Sequence, residues 1–344
     1  MELTTVWFAL IAILWVGYLV LEGFDFGVGI LLPLLGRDEA ERRAILRTIG
    51  PVWDGNEVWV LVAGGATFAA FPEWYATLFS GFYLALFLIL LALIVRGVAI
   101  EYRNKRPDPA WRARWDWAIC MGSLLPAILW GVAFGNIVRG VPLDAHHQYV
   151  GDFFTLLNPY ALLGGLTTLA LFVTHGAVFL GLKMTGSVRT RANRLGGQAG
   201  LVTALLAVAF LGWTQLVRGD TGSLVVSALA AVSLVGALVA NRLGREGWAF
   251  IGTAATIAFA VVALFTALFP DVLPSTIDAA NSLTTTNASS TQYTLTIMTV
   301  VAVIFTPIVL VYQGWTYWVF RRRVTVDAVP TDPAPGSGRP REAA

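Results

Sequence analysis

Long apolar runs constrain this chain more than any other feature of its sequence. A helix needs roughly 18 or more apolar residues to cross the hydrocarbon core of a bilayer, and in that core only helices and closed barrels satisfy their own backbone. The runs therefore predict an all-α polytopic membrane protein with nine transmembrane helices. The nine predicted spans are about 4–35, 55–72, 75–100, 116–138, 156–182, 196–217, 222–240, 248–269 and 294–320.

The composition supports a membrane protein and excludes several other classes. Hydrophobic residues make up 57% of the chain and charged residues 13%, and the mean hydropathy is +0.70, which is typical of a polytopic membrane protein. The net charge of +2 is too small to indicate a nucleic-acid partner, and the single cysteine, Cys120, excludes a disulfide within the chain. The first run exceeds the length of a signal peptide and lacks a basic start, so we expect it to be the first span.

The positive charges predict the orientation of the spans, because cytoplasmic loops of membrane proteins collect Lys and Arg. With the N-terminus outside and the C-terminus in the cytoplasm, every Lys and Arg except Arg139 and Arg218 falls on the cytoplasmic side. Four spans, four more and a ninth are consistent with two four-helix bundles and a peripheral helix. Residues 1–323 form the predicted membrane domain, and 324–344, rich in Pro, Gly, Ala and charge, form a predicted disordered cytoplasmic tail.

Two groups of polar residues interrupt the apolar runs. Glu22 and Asp25 lie in the glycine-rich stretch Glu-Gly-Phe-Asp-Phe-Gly-Val-Gly of the first span, and Asp54, Asn56 and Glu57 lie at the start of the second. A charged side chain near the bilayer centre costs about 2.5–3.5 kcal/mol on insertion scales, so such residues usually face a cavity, a partner or an ion path. We interpret the five residues as candidates for a path that carries protons, since buried carboxyl groups can titrate near neutral pH.

Their spacing is consistent with such a path but leaves an alternative open. Glu22 and Asp25 are three residues apart, as are Asp54 and Glu57, so each pair shares one helix face. Asp54 lies near the cytoplasmic side, whereas Asp25 lies about 18 Å from the end of its span at 1.5 Å per residue. In the alternative, Asp54 caps the second helix while Asn56 and Glu57 pair with nearby arginines.

Other polar residues receive structural interpretations. We expect Arg96 and Glu101 to form an interfacial pair at the end of the third span. Asp116 is expected to open the fourth helix, where an acid interacts well with the helix dipole. Three glycines of the first span are expected to allow close helix approach: Gly23, Gly27 and Gly29.

Few residues could bind a redox cofactor. Haem iron takes His, Met, Cys or Tyr ligands, and the chain holds three histidines, four methionines and one cysteine. Only His175 of the histidines lies in a span, and we interpret it as bonded to a neighbouring helix in preference to a haem. His146 and His147 are adjacent and extramembrane, which is a poor metal geometry. The chain is therefore predicted to have no catalytic, cofactor-binding or metal-binding residue of its own, and to be either the cofactor-poor member of a complex or a transporter.

Several motifs together resemble subunit II of the cytochrome bd-type quinol oxidases, over nearly the whole chain from the first span to Trp318. The matching segments are Glu-Gly-Phe-Asp-Phe-Gly-Val-Gly at 22–29, Trp-Asp-Gly-Asn-Glu-Val-Trp at 53–59, Ala-Gly-Gly-Ala at 63–66, Phe-Ser-Gly-Phe-Tyr at 79–83, Gly-Val-Ala-Phe-Gly-Asn at 131–136, Leu-Leu-Asn-Pro at 156–159 and Asn-Ala-Ser-Ser at 287–290.

The resemblance implies a respiratory terminal oxidase of the bacterial inner membrane that oxidises quinol and reduces dioxygen to water. In that family haems b and d and the quinol-oxidation loop belong to subunit I, with which subunit II forms a pseudo-symmetric heterodimer. The resemblance further implies that Asp54 belongs to a cytoplasmic proton route, that Asp25 matches the acid of the first helix, and that Trp59 lies near an oxygen path. Small accessory subunits, lipid or a quinone bound in this chain are compatible with the family.

A proton-coupled secondary transporter is the alternative function. Its interrupted helices and mid-membrane acids would also account for Glu22, Asp25 and the glycine run. Such transporters are expected to carry corresponding interrupted helices in both halves, and only the first half of this sequence has an acid-rich, glycine-rich span.

Overall fold

The computed structural model of the protein describes residues 2–326, and long helices account for most of them. The helices and strands are α1 Leu3–Leu35, α2 Glu39–Ile49, α3 Trp53–Ala70, α4 Pro72–Gly81, α5 Tyr83–Tyr102, α6 Pro109–Arg139, α7 Pro159–Lys183, α8 Gly186–Arg218, α9 Thr221–Arg242, α10 Glu246–Leu268, β1 Asp271–Leu273, β2 Leu283–Thr284 and α11 Gln292–Val319. Short 3-10 helices lie at Arg103–Lys105, Phe154–Leu156 and Ala279–Asn281.

The prediction of an all-α polytopic membrane protein is confirmed. Within the described part of the chain, eight helices are long and apolar enough to cross a membrane: α1, α5 with the turn after it, and α6 to α11. The predicted second span corresponds to α3, which has 18 residues but begins with the polar residues Trp-Asp-Gly-Asn-Glu. A count of nine spans therefore stays a prediction.

The predicted third span, 75–100, is divided into two helices. The chain leaves helical geometry at Phe71, where φ is −134° and ψ is 69°, because a residue before proline is driven away from the α region. α4 then runs from Pro72 to Gly81, and α5 starts at Tyr83 after a second break at Phe82. An apolar run of this length hides such breaks, since its hydropathy is continuous across them.

α1 lies at the centre of the helix packing and contacts α3, α6, α7 and α10. At the crossing of α1 and α7, a Cβ added to Gly27 would lie 2.0 Å from the Phe172 carbonyl oxygen and 2.8 Å from the Gly176 Cα. The two backbones can approach this closely only because both positions are glycine. The predicted role of the glycine run in helix packing is confirmed here.

Ion pairs join the basic loops on one side of the molecule, which we call the basic face. Arg191 at the start of α8 pairs with Glu41 of α2 at 2.6 Å, and Arg323, after α11, pairs with Glu246 of α10 at 3.6 Å. Arg42 of α2 donates to Asp116 of α6 at 3.0 Å. Loops with little positive charge contact one another at the opposite side, where β1 and β2 form an antiparallel pair. The basic loops therefore lie together on one face. Spans that alternate in direction, with the basic loops all on one side of the membrane, predict this arrangement.

The residues directly after α11 contact the end of α7. The backbone N–H of Val324 donates to the Lys183 carbonyl at 2.7 Å, and Lys183 Nζ also donates to the carbonyl of Arg322 at 3.0 Å. These contacts connect the C-terminal end of α11 to α7. Residues 327–344 of the predicted tail lie outside the described residues.

Candidate functional site

The two acids of the first span are deeply buried. Glu22 and Asp25 share one face of α1, and neither is exposed to solvent. Asp25 lies roughly 15 Å along the axis from the end of α1 at Leu35, at 1.5 Å per residue. The helix therefore carries two carboxyl groups into the apolar interior, where a charge is stable only beside a partner.

Arg96 of α5 is that partner for Glu22. Its Nη1 donates to Glu22 Oε1, neither side chain is exposed, and the guanidinium lies 4.9 Å from the centre of the Phe26 ring. The predicted pair of Arg96 with Glu101 is wrong. Residues five apart on a helix point about 140° apart, so Arg96 faces α1 while Glu101 remains exposed.

Asn56 of α3 is the partner of Asp25. Its amide Nδ2 donates to Asp25 Oδ2 at 2.6 Å, and its Oδ1 accepts from Gln313 at 3.1 Å and from the Tyr317 hydroxyl at 2.8 Å. Trp59, one turn further along α3, donates from its indole nitrogen to Gln313 Oε1 at 2.9 Å. The structure thus brings Asn56 and Asp25 into contact and adds two residues of α11.

We call Glu22, Asp25, Asn56 and Arg96 the acid cluster. Several of its polar atoms make no hydrogen bond to any residue between 2 and 326: Glu22 Oε2, Asp25 Oδ1, Arg96 Nε and Arg96 Nη2. Buried polar atoms are nearly always bonded, and exceptions commonly mark functional positions. The acid cluster therefore holds buried carboxylate oxygens without a hydrogen bond, which makes it the candidate functional site.

Asp54 and Glu57 lie between the acid cluster and the basic face. Asp54 is exposed in the first turn of α3, and its carboxylate accepts from the N–H of Gly55 at 2.6 Å. The N-cap residue of α3 is Val52 and not Asp54, although Asp54 accepts one backbone N–H in the first turn, as the capping alternative expected. Glu57 is half-buried and within the electrostatic field of Arg96.

The predicted pairing of Asn56 and Glu57 with nearby arginines is absent. Asn56 bonds Asp25, Gln313 and Tyr317, and Glu57 has no hydrogen bond or ion pair in the described chain. A carboxyl group without a fixed partner, one helical turn inside α3, can change its protonation state without breaking a bond.

His175 is a hydrogen-bonded core residue. Its Nδ1 lies 2.7 Å from Thr253 Oγ1 and its Nε2 lies 3.2 Å from the Val20 carbonyl, while its ring stacks on Phe250 at 4.7 Å. A carbonyl only accepts, so Nε2 carries the proton that reaches Val20, while the Thr253 hydroxyl lies within hydrogen-bond distance of both Nδ1 and the Phe250 carbonyl. Both nitrogens are engaged, so this site does not fit a haem ligand.

A charge network supports the helix that leads into α3. Asp116 lies two turns inside α6, not at its start as predicted, because α6 begins at Pro109. The buried Asp116 accepts from Arg42 at 3.0 Å and from Arg103 at 2.5 Å, and Arg103 also bonds Glu39 at 2.9 Å. Ion pairs from α6 and from the 3-10 helix after α5 therefore hold α2 in place.

Sequence reasoning missed three residues of this region: Arg96, Gln313 and Tyr317. Arg96 is a charged residue inside the apolar helix α5, so it indicated a functional position as strongly as Asp25 did. Gln313 was a weaker signal, as a lone amide in the apolar segment Val-Leu-Val-Tyr-Gln-Gly-Trp. Tyr317 carried no signal, because tyrosine is common near the ends of membrane helices.

The fold and the site together define a class of protein. A helical protein with many apolar helices and with two carboxyl groups, an arginine and an amide in contact among them is a multi-pass membrane protein that holds charge inside the bilayer. Such residues are rare in membrane interiors and usually belong to an ion or proton pathway.

Comparison with known proteins identifies the family. The chain belongs to the cytochrome bd terminal oxidase subunit II family, whose model matches residues 3–320. It is 42% identical over 332 residues to cytochrome bd ubiquinol oxidase subunit 2 of Bacillus subtilis, covering 94% of this chain and 97% of that protein. It is 37% identical over 363 residues to cytochrome bd-I ubiquinol oxidase subunit 2 of Escherichia coli, covering 94% of this chain and 96% of that protein.

A solved structure shows the same fold. A chain in the structure of the bd oxidase from Geobacillus thermodenitrificans superposes with a TM-score of 0.78 over 93% of this chain and 99% of that chain. Its sequence identity is 17%, so this likeness supports the fold alone.

The family establishes what the chain is part of. It is subunit II of a membrane-bound quinol oxidase complex, an oxidoreductase, which confirms the predicted family, function and bacterial inner-membrane location and favours the oxidase over the transporter. Such a complex contains a subunit I and carries haems. The two hydrogen bonds of His175 give no support for a haem on that residue.

Proposed function

We propose that this subunit supplies the oxidase with a proton path that starts at Asp54 on the cytoplasmic side and reaches Asp25. The observation that carries the proposal is the acid cluster, in which Glu22 and Asp25 are fully buried and each keeps one carboxylate oxygen without a hydrogen bond in residues 2–326. Carboxyl groups held this way beside a fixed cation can accept and release protons.

The order of the residues along the helices supports this direction. Asp54 is exposed, Glu57 is half-buried about 4.5 Å further along the axis of α3, and Glu22 and Asp25 are fully buried. Arg96 bonds Glu22 and exerts its field on Glu57 and Asp25. Protons thus step from Asp54 through Glu57 to the acid cluster.

Asn56 acts in this path as a holder of Asp25. An amide nitrogen donates hydrogen bonds but does not accept them, so the contact from Asn56 Nδ2 to Asp25 Oδ2 orients the carboxyl group without transferring a proton. Trp59 packs its ring against Gly17, where an added Cβ would lie 2.3 Å from the indole. Its predicted place near an oxygen path stays a prediction.

The proposed topology has nine spans, an outer N-terminus and a cytoplasmic C-terminus. The clustering of the basic loops on one face supports it, because positive charge collects in the cytoplasm. α1 and α3–α6 form the first bundle, α7–α10 the second, and α11 is peripheral. In this orientation Asp54 faces the cytoplasm.

The partner in this proposal is the haem-bearing subunit I, in a heterodimer. That subunit would hold haems b and d, which would supply the chemistry that reduces dioxygen to water. With the protons of quinol released outside, proton uptake through this subunit separates charge across the membrane. An apolar cavity of about 320 Å³ among α6–α10, lined by residues such as Phe172, Leu211 and Ile257, provides space for a lipid or quinone chain.

Asp54→Asn tests the path at its first residue. The amide keeps the size of the carboxyl but cannot titrate, so we expect a lower rate of quinol oxidation by the purified heterodimer and an altered dependence on pH. Glu101→Gln is the matched control, because Glu101 is an exposed acid at the same face, outside the path. Wild-type rates for Asp54→Asn across the pH range would show that the proton role is wrong.

A further inference from the structure

The peripheral helix α11 contributes polar side chains to the acid cluster, although it packs weakly. Leu295 is buried, whereas the other side chains of α11 in the described chain are half-buried or exposed. Gln313 and Tyr317 nevertheless reach Asn56 of α3. We propose that Trp59, Gln313 and Tyr317 are positioning residues that determine which oxygen of Asp25 can carry a proton.

The argument starts from Trp59, whose indole N–H can only donate a hydrogen bond. It lies 2.9 Å from a side-chain amide atom of Gln313. That atom must be the amide oxygen, because an amide nitrogen cannot accept. The donor-only indole therefore settles the orientation of the Gln313 amide, which X-ray density at ordinary resolution would leave ambiguous.

The orientation of Gln313 determines that of Asn56. With its oxygen facing Trp59, Gln313 presents its NH₂ group to Asn56, at 3.1 Å. The atom that receives it must be the Asn56 oxygen. The Tyr317 hydroxyl can donate or accept, and at 2.8 Å it donates to the same oxygen.

Asn56 in turn determines the role of Asp25 Oδ2. Because the Asn56 oxygen faces α11, its NH₂ group faces α1 and donates to Asp25 Oδ2 at 2.6 Å and to the Leu21 carbonyl at 3.5 Å. Oδ2 must therefore present a lone pair. The carbonyl oxygen of a protonated carboxyl accepts a hydrogen bond better than its hydroxyl oxygen, so a proton on Asp25 resides on Oδ1, the oxygen that has no hydrogen bond within residues 2–326.

We call Trp59, Gln313, Asn56 and Asp25 the amide chain. All its hydrogen bonds run in one direction, from the indole donor to the carboxylate acceptor. Without the indole or the Gln313 amide, Asn56 could turn over and present its oxygen to Asp25, which would favour a protonated carboxyl. The amide chain thus keeps a donor on Asp25 Oδ2 and leaves Oδ1 for proton exchange.

Infrared difference spectroscopy of the purified heterodimer as a function of pH tests this inference. Signals of Asp25, protonated or ionised, are assigned by their loss in Asp25→Asn. In Gln313→Leu the amide chain is broken, so we expect the Asp25 signals to change frequency and its carboxylate to appear about one pH unit higher or more, since a donor to the ionised form is lost.

The charged and titratable groups around Asp25 must stay unchanged in this titration. Glu22 on α1, Glu57 on α3, Arg96 on α5 and Tyr317 on α11 act on it electrostatically. None of them is changed in Gln313→Leu. Tyr317→Phe removes one of two donors to Asn56 but preserves the direction of the amide chain, so its expected shift is smaller.

Tyr312→Phe is the matched control, because Tyr312 is an exposed tyrosine of the same helix, and we expect it to leave the Asp25 signals unchanged. Should Gln313→Leu fail to assemble, Gln313→Met serves instead: its unbranched side chain has a similar length, adds no charge and has no N–H group to donate to Asn56, so the same shift is expected. Asp25 signals at the wild-type frequency and pH in the assembled Gln313 variant would overturn the inference.

The inference rests on the proposed proton function only for its biological meaning. If Asp25→Asn kept the wild-type rate of quinol oxidation while Gln313→Leu shifted the Asp25 signals, the positioning would be right and the proton path wrong. If Asp25→Asn lost activity while Gln313→Leu left the signals in place, the path would stand and the positioning would fail.

Discussion

Arg96 and Glu22 form an ion pair in which neither side chain is exposed. Two charges taken out of water are strongly penalised, and their attraction offsets the penalty only while both are present. Burial of this pair in an apolar helix bundle therefore favours function over stability as the reason for its presence.

Arg96→Leu is expected to destabilise the heterodimer by about 3–5 kcal/mol, because Glu22 is left buried without its cation. The double variant Glu22→Gln with Arg96→Leu should recover part of that loss, since no charge remains unpaired. Thermal unfolding in detergent measures both. Equal stability of Arg96→Leu and wild type, or a double variant no more stable than the single one, would contradict this account of the pair.

At the residue scale, the sequence revealed some members of the site and concealed others. Glu22 and Asp25 were predictable because a charge in an apolar run is costly wherever it lies. Their partners were not, because the contacts join residues far apart in the chain: 74 positions separate Glu22 from Arg96, and 257 separate Asn56 from Gln313. Periodicity within a single helix carries no information about such contacts.

At the scale of elements, α2 is a short amphipathic helix that positions the start of α3. Its Glu41 accepts from Arg191 at 2.6 Å, from the Ser187 hydroxyl at 3.0 Å and from the Arg37 N–H at 2.9 Å. Burial pushes the pKa of Glu41 upward, but the bonds from Arg191, Arg37 and Ser187 outweigh it and hold the pKa below its ordinary value of 4.5. The ionised form of Glu41 therefore stabilises the folded protein.

The sign of this shift gives a pH prediction. A carboxyl whose pKa is lowered by folding contributes its stability above pH 4.5 and loses it as the pH falls through the folded-state pKa. Glu41→Gln should therefore unfold at a lower temperature at pH 7, with a loss of about 1–3 kcal/mol. The difference from wild type should shrink below pH 4.5.

Glu101→Gln serves as the control for Glu41, since Glu101 is exposed, and should match wild type at both pH values. A gap between Glu41→Gln and wild type that stayed constant from pH 7 to acid would show that the substitution acts through packing and not through the charge of Glu41.

Helix boundaries show what hydropathy can and cannot predict about elements. α1 and α6–α11 follow the predicted spans because each is one continuous apolar helix. The predicted second span ended at 72, next to the break at Phe71, whereas the break at Phe82 inside the predicted third span was missed. Hydropathy alone does not identify α3 as a membrane span, because the polar residues at its start lower its mean hydropathy.

At the scale of the whole molecule, hydropathy predicted an all-α polytopic membrane protein, while the nine-span count and the orientation stay predictions. The basic loops, remote in sequence, meet on one face through pairs such as Arg191 with Glu41 and Arg323 with Glu246. Positive charge marks the side of each loop, so this clustering was predictable. The central place of α1 was not, because its contacts with α7 depend on backbone approach at Gly27 and Gly176, which a hydropathy profile does not record.

The most direct test of the proton path is proton uptake by the oxidase heterodimer in lipid vesicles, measured with a pH-sensitive dye on the side of the basic face during quinol oxidation. Asp25→Asn is expected to slow uptake at least about tenfold, since losing an interaction worth about 1.4 kcal/mol already slows a step tenfold. Uptake at the wild-type rate in an Asp25→Asn heterodimer that retains its haems would contradict the account.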